Sequence, residues 1–115
     1  MKRGDVYWAV LAPRSGSEQR GTRPVVVVSH DGFNQTANWN SVIVVPISTS
    51  ESQARRRATV VPLPKGTASL KSDSIALCHQ VTTLARAKLQ KPIGTLPARE
   101  LSEIDSALKA AMDLP

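Results

Sequence analysis

The chain has 115 residues, 41% of them hydrophobic and 21% charged, a length that suits one domain with its own core. With six Gly, eight Pro, one Cys and no aliphatic run longer than Val25–Val28, low-complexity, disulfide-stapled, four-cysteine zinc and membrane-spanning chains are excluded. The net charge of +6 is one-sided: residues 1–72 hold ten Lys and Arg against four Asp and Glu, and residues 73–115 balance, which points to a polyanionic partner.

In chain order, a charged N-terminus with no apolar signal core gives way to Asp5–Leu11 (DVYWAVL), a strand that stops before Pro13. Arg14–Thr22 is a polar loop carrying Gly16 and Gly21. Arg23–Ser29 (RPVVVVS) is β-branched and continuously apolar, the pattern of a strand covered on both faces, with Pro24 at its entry or on an edge. Asp31–Ser41 and Ser48–Arg57 are polar connections around the strand Val42–Ile47, long enough to be functional loops. Ala58–Leu63 is a weaker strand, Ser74–Val81 another, and Thr83–Leu89 reads as a short helical turn. Pro97 suits the start of a final helix, whose apolar stripe is Leu101, Ile104, Leu108, Ala111 and Met112. These elements predict a β-rich α+β fold: a small barrel or curled sheet capped by a C-terminal amphipathic helix. Residues 1–115 are expected to be one soluble, cytoplasmic domain.

Three chemical motifs fail on inspection. Gly16-Ser-Glu-Gln-Arg-Gly21 lacks the lysine of a phosphate-binding loop and precedes a strand instead of a helix. His30, Cys78 and His79 are the only soft ligands, and neighbouring strand positions would point Cys78 and His79 apart, so neither metal nor cofactor is expected. No GxSxG elbow is present. What remains is Glu18 and Arg20 in the loop, Arg23 at a strand entry, and Ser48-Thr49 at a strand end. Phosphodiester cleavage without a metal needs a base, a cation for the phosphorane and a proton donor, which are these residue types. Solvated loop charges and a simple turn use the same residue types.

The segments Arg3-Gly-Asp-Val-Tyr-Trp8, Gly16-Ser-Glu-Gln-Arg-Gly-Thr-Arg-Pro-Val-Val-Val-Val28, Val42-Ile-Val-Val-Pro-Ile-Ser48 and Asp73-Ser-Ile-Ala-Leu-Cys-His-Gln80, with Leu84, Leu89 and Ile93-Gly94, follow in order along nearly the whole chain. In them the sequence resembles the MazF/PemK/Kid toxin endoribonucleases of type II toxin–antitoxin systems. The resemblance implies an SH3-like barrel, a homodimer, and metal-independent cleavage of single-stranded RNA at short sequences. It further implies attack by the 2′-hydroxyl, leaving a 2′,3′-cyclic phosphate and a 5′-hydroxyl, with neutralisation by a cognate antitoxin carrying a flexible acidic tail. Carried over by position, Arg23 matches the central catalytic arginine. Ser48, or Thr49 beside it, falls at the catalytic hydroxyl, and Glu18 at an acidic loop residue that serves as base or RNA contact. Gln19, Arg20, Thr22, Arg55, Arg56 and Gln80 are expected to contact RNA. His79 stands where relatives commonly carry Asp, as an acid or base, an RNA contact, or neither. As a strand neighbour of Gln80 it should face the opposite side. The alternatives are an inactive homologue that binds RNA or antitoxin, and a CcdB-like gyrase inhibitor. That last family acts through C-terminal residues including a tryptophan, whereas no Trp follows Trp39 here.

Overall fold

The structure is a computed structural model that describes residues 1–11, 21–50 and 57–115. Its strands are β1 (Asp5–Leu11), β2 (Gly21–Val27), β3 (Ser41–Ser48), β4 (Val60–Leu63), β5 (Ser74–Leu77), β6 (Thr82–Ala85) and β7 (Leu89–Thr95). A single-turn helix α1 (Asp31–Asn34) precedes β3, and α2 (Ala98–Met112) closes the fold. Every pairing is antiparallel, in the order β4-β5-β3-β2-β1-β7, with β6 also on β3.

β3 organises the sheet. One of its edges pairs Val44–Pro46 with Val25–Val27 of β2. The other edge changes partner along its length, from β6 at Ser41–Val44 to β5 at Ile47–Ser48. This hand-over splits the sheet into two arms and, with the right-handed twist of the strands, curls it toward a barrel. The valine run of β2 is buried on both faces, as its composition predicts. Val26 and Val28 join Val6, Val45, Ile47, Leu63 and Ile104 in one core, while Val25 and Val27 join Ala9, Leu11, Val42, Val44 and Leu84 in another.

The final helix begins after Pro97, and its buried side chains are Ile104, Ala107 and Leu108. The stripe expected from the sequence runs past the core, because Met112 is 49% exposed. α2 is tied back to the sheet by Arg3, whose guanidinium donates to the Val28 carbonyl (3.0 Å) and pairs with Asp105 (2.5 Å). Gly4 next to it is needed for its backbone: φ is +95°, and a Cβ would stand 3.3 Å from Leu101 Cδ2.

Four expectations are corrected. The strand expected at Ala58–Leu63 is only Val60–Leu63, following a 3₁₀ turn at residues 57–59. The strand expected at Ser74–Val81 ends at Leu77, and Cys78–Gln80 form a 3₁₀ turn against α2. Strand alternation therefore does not govern Cys78, His79 and Gln80. The helical turn expected at Thr83–Leu89 is a strand, β6, followed by a 3₁₀ turn at Arg86–Lys88, because cross-strand pairing with Ser41–Val44 outweighs local propensity. β7 was not anticipated and pairs with β1 through two register irregularities.

Candidate functional site

The site lies where β2 and β3 part. Their last pair is Val25 with Pro46. Pro24 and Pro46 both lack an N–H, so the ladder loses donors at this point and the two chains are released from each other. Continuing the same register two residues further sets Arg23 opposite Ser48. Both line one open groove of about 360 Å³, with Thr22, Pro24, Ile47 and Thr49 on their side. Trp8, Ser69, Leu70, Lys71, Ser72, Ser74 and Ile93 complete it.

Ser48 is only 6% exposed, and its Oγ accepts the backbone N–H of Ser50 at 3.0 Å. That bond fixes the side chain and leaves the hydroxyl proton to donate elsewhere. Thr49, next along the chain, is exposed. Ser48, Thr49 and Ser74 also border an adjoining groove of about 430 Å³, walled by Pro62, Pro64, Asp73 and Ile75. A guanidinium and a fixed hydroxyl lining the same groove suit a phosphate: the cation balances its charge and the hydroxyl donates to an equatorial oxygen.

Of the residues expected from the sequence, Thr22, Arg23, Ser48 and Thr49 converge on this groove. Glu18, Gln19, Arg20, Arg55 and Arg56 lie outside the described residues. His79 and Gln80 line neither groove: they sit half-buried in the 3₁₀ turn against α2, with His79 Nε2 3.4 Å from Gln80 Nε2. Cys78 in the same turn is buried, and burial, reinforced by the Asp105 carboxylate, pushes its thiol up to about 12. A thiol held neutral in this way is neither a nucleophile nor a ready metal ligand. Among the described residues no group of three His, Cys, Asp or Glu is placed to hold a metal.

Sequence reasoning missed the rest of the lining, Trp8, Ile93 and Ser69–Ser72. Its loop is held in an unusual shape: Gly66, Ala68 and Ser69 have φ of +95°, +49° and +63°. Gly94 of β7 lets the Ala68 backbone approach where a Cβ would collide, and Asp73 accepts the Lys65 N–H at 2.8 Å. The only signal in the sequence was a lysine among hydroxyl residues, ThrAlaSerLeuLysSer, with nothing local to show which surface it would join.

A curled antiparallel sheet closed by one helix, with a groove lined by cations and hydroxyls at the end of its central strand, defines a small β-barrel-like fold. The chain belongs to the PemK-like, MazF-like toxins of type II toxin–antitoxin systems, a family of endoribonucleases whose pattern matches residues 2–112. It is 32% identical over 114 residues to the endoribonuclease MazF of Staphylococcus saprophyticus, an alignment covering 99% of this chain and 92% of that relative. The crystal structure of MazF from Deinococcus radiodurans shares the fold, with a TM-score of 0.80 and 22% identity over 99% of this chain and 97% of the other. So does a mycobacterial endoribonuclease in complex with its cognate antitoxin, with a TM-score of 0.73 and 22% identity over 100% of this chain and 95% of that one.

Proposed function

We propose that the chain, acting as one domain over residues 1–115, is a toxin that cleaves single-stranded RNA at short specific sequences without a metal. The observation that carries this reading is the convergence of Arg23 and Ser48 on one open groove. The ribose 2′-hydroxyl attacks the adjacent phosphorus, the P–O5′ bond breaks as the departing 5′-oxygen takes a proton from water, and the products carry a 2′,3′-cyclic phosphate and a 5′-hydroxyl. Arg23 holds the charged phosphorane. Between the two hydroxyls, the fixed and buried Ser48 is better preorganised than the exposed Thr49 to donate to a phosphate oxygen. Glu18, which precedes β2 in the sequence, is the base that receives the 2′-hydroxyl proton. His79 is given no step in this reading, because it is not among the residues lining either groove.

The partners follow the same logic. The positive balance of residues 1–72 suits both an RNA backbone and the acidic, flexible tail of a cognate antitoxin laid across the groove. The mycobacterial endoribonuclease in complex with its cognate antitoxin supports that partner. A homodimer working in the cytoplasm completes the reading. No helix among the described residues is long and apolar enough to cross a membrane.

The test is to incubate the protein with a long unstructured RNA and its DNA counterpart, both with chelator, and to map the ends. RNA cut at recurring short sequences to cyclic-phosphate and 5′-hydroxyl ends, with DNA intact, is the expected result. Binding without scission would instead establish an inactive homologue.

A further inference from the structure

The rest of the groove's lining, beyond Arg23 and Ser48, has a composition of its own. Trp8 is 41% exposed on β1, set beside Pro24 by the β1–β2 register. Leu70 and Ile93 extend this apolar surface, and Lys71 stands at its edge. Lys71 makes no ion pair among the described residues. Two features show that the wall is built and held. The loop carrying Lys71 has two non-glycine residues in the left-handed region, Ala68 and Ser69, an arrangement that persists only where surrounding structure enforces it. The enforcement is visible in the Gly94 contact with Ala68, the Gly66 N–H bonded to the Leu70 carbonyl at 2.8 Å, and Leu70 itself, which is anchored in the core.

A half-exposed indole beside apolar side chains, with a lysine and an arginine lining the same groove, matches one unstacked nucleotide: the ring stacks on the base and the ammonium meets the next phosphate. We propose that Trp8, with Leu70 and Ile93, forms a base-stacking subsite for the nucleotide flanking the bond that is cut, and that Lys71 holds that nucleotide's outer phosphate. The inference rests on the nuclease reading for its place in the reaction, but stacking and phosphate binding can be measured without cleavage. Because a base in a duplex cannot leave its stack to reach Trp8, the subsite also makes the groove selective for single strands. Lys71 acts on binding and not on the bond-breaking step, so its loss should raise KM and spare kcat.

The sequence has two tryptophans, so Trp39→Phe makes Trp8 the sole indole reporter. In that background, fluorescence is followed while single-stranded 2′-fluoro homopolymers of A, U and C, which cannot supply the attacking hydroxyl, are titrated in, alongside the A·U duplex. The expected result is quenching of Trp8 by at least one single strand and not by the duplex. Trp8→Leu should weaken strand binding about tenfold or more, and Trp8→Phe should restore most of it. Lys71→Gln should lower the slope of log affinity against log salt by about 1, with Lys71→Arg retaining it. Quenching by single strands in a protein that cuts no RNA would support the subsite and refute the nuclease reading. Cleavage of RNA with Trp8 emission unmoved by every strand would overturn the subsite and leave the nuclease reading standing. An unchanged salt slope in Lys71→Gln would overturn the role of the lysine.

Discussion

The two ends of β3 are built on opposite plans. At its N-terminal end, polar groups satisfy one another. Asn34 is buried, pairs with the Ser29 hydroxyl, and donates to the Ser29 carbonyl at 2.8 Å and to Asp31 at 3.0 Å. Asp31 also accepts the Arg3 N–H at 2.6 Å. The Arg86 guanidinium donates to the carbonyls of Asn34 (2.8 Å), Trp39 (2.8 Å) and Phe33 (3.2 Å), and the Phe33 and Trp39 rings stack with centroids 4.6 Å apart. At the C-terminal end, prolines thin the ladder, and Arg23, Ser48, Thr49 and Lys71 face a groove. The chain carries an arginine near each end: Arg86 is bonded to the fold's own carbonyls, and Arg23 lines the groove.

The contrast predicts that damage at the N-terminal end costs stability and damage at the C-terminal end costs rate. The largest stability loss should come from Asn34→Ala. It strips the buried Ser29 hydroxyl and carbonyl of partners and should cost about 3 kcal/mol in denaturant unfolding, while cleavage per folded molecule is kept. Close behind it, Ser48→Ala should slow single-turnover cleavage about 100-fold with a stability change of about 1 kcal/mol, and Thr49→Ala should change the rate much less. An equal loss in the two variants would move the hydroxyl's role off Ser48.

Smaller is the effect of pH through Asp31. The Arg3 N–H and then the Asn34 amide hold its carboxyl below the ordinary value of 3.8. Since the folded pKa is the lower one, Asp31 stabilises the fold above that value, and its contribution is lost as pH falls through the folded pKa. Unfolding curves of the wild type and Asp31→Asn should differ at neutral pH and converge in acid. A gap that widens in acid would contradict the assignment. The smallest effect belongs to Arg99→Ala on the outer face of α2. Its 3.4 Å pair with Glu103 is exposed, so stability should move by about 0.3 kcal/mol and cleavage not at all.

Legibility in the sequence tracked how far each residue's role is decided locally. β1 was readable because its β-formers end at a proline, and β2 because four valines in a row need cover on both sides. α2 was readable from its 3.6-residue stripe, although the sequence could not show that the core stops before Met112. β6 and β7 were not readable. Leu89–Thr95 (LQKPIGT) is mostly half-buried or exposed and contains Pro92 and Gly94, so it owes its strand form to pairing with β1. Within the site, Arg23 and Ser48 stood out because a charge and a hydroxyl at the ends of apolar strands must emerge at the sheet's rim. Trp8 and Lys71 did not, because only the fold brings β1 and the loop after β4 to the same groove. Asn34 and Arg86 lay in segments read as a plain polar connection and a helical turn. Their partners are backbone carbonyls, which leave no mark in a sequence.

The most direct test compares Arg23→Ala with Arg86→Ala in the same two assays, single-turnover RNA cleavage at saturating protein and thermal unfolding. Arg23→Ala should cut a few hundred-fold more slowly or worse, a loss of about 3–4 kcal/mol of transition-state stabilisation, with its Tm nearly unchanged. Arg86→Ala should melt lower, by about 2 kcal/mol of stability, yet cut at close to the wild-type rate once folded. An Arg23→Ala protein that cleaves RNA at the parental rate would contradict the account.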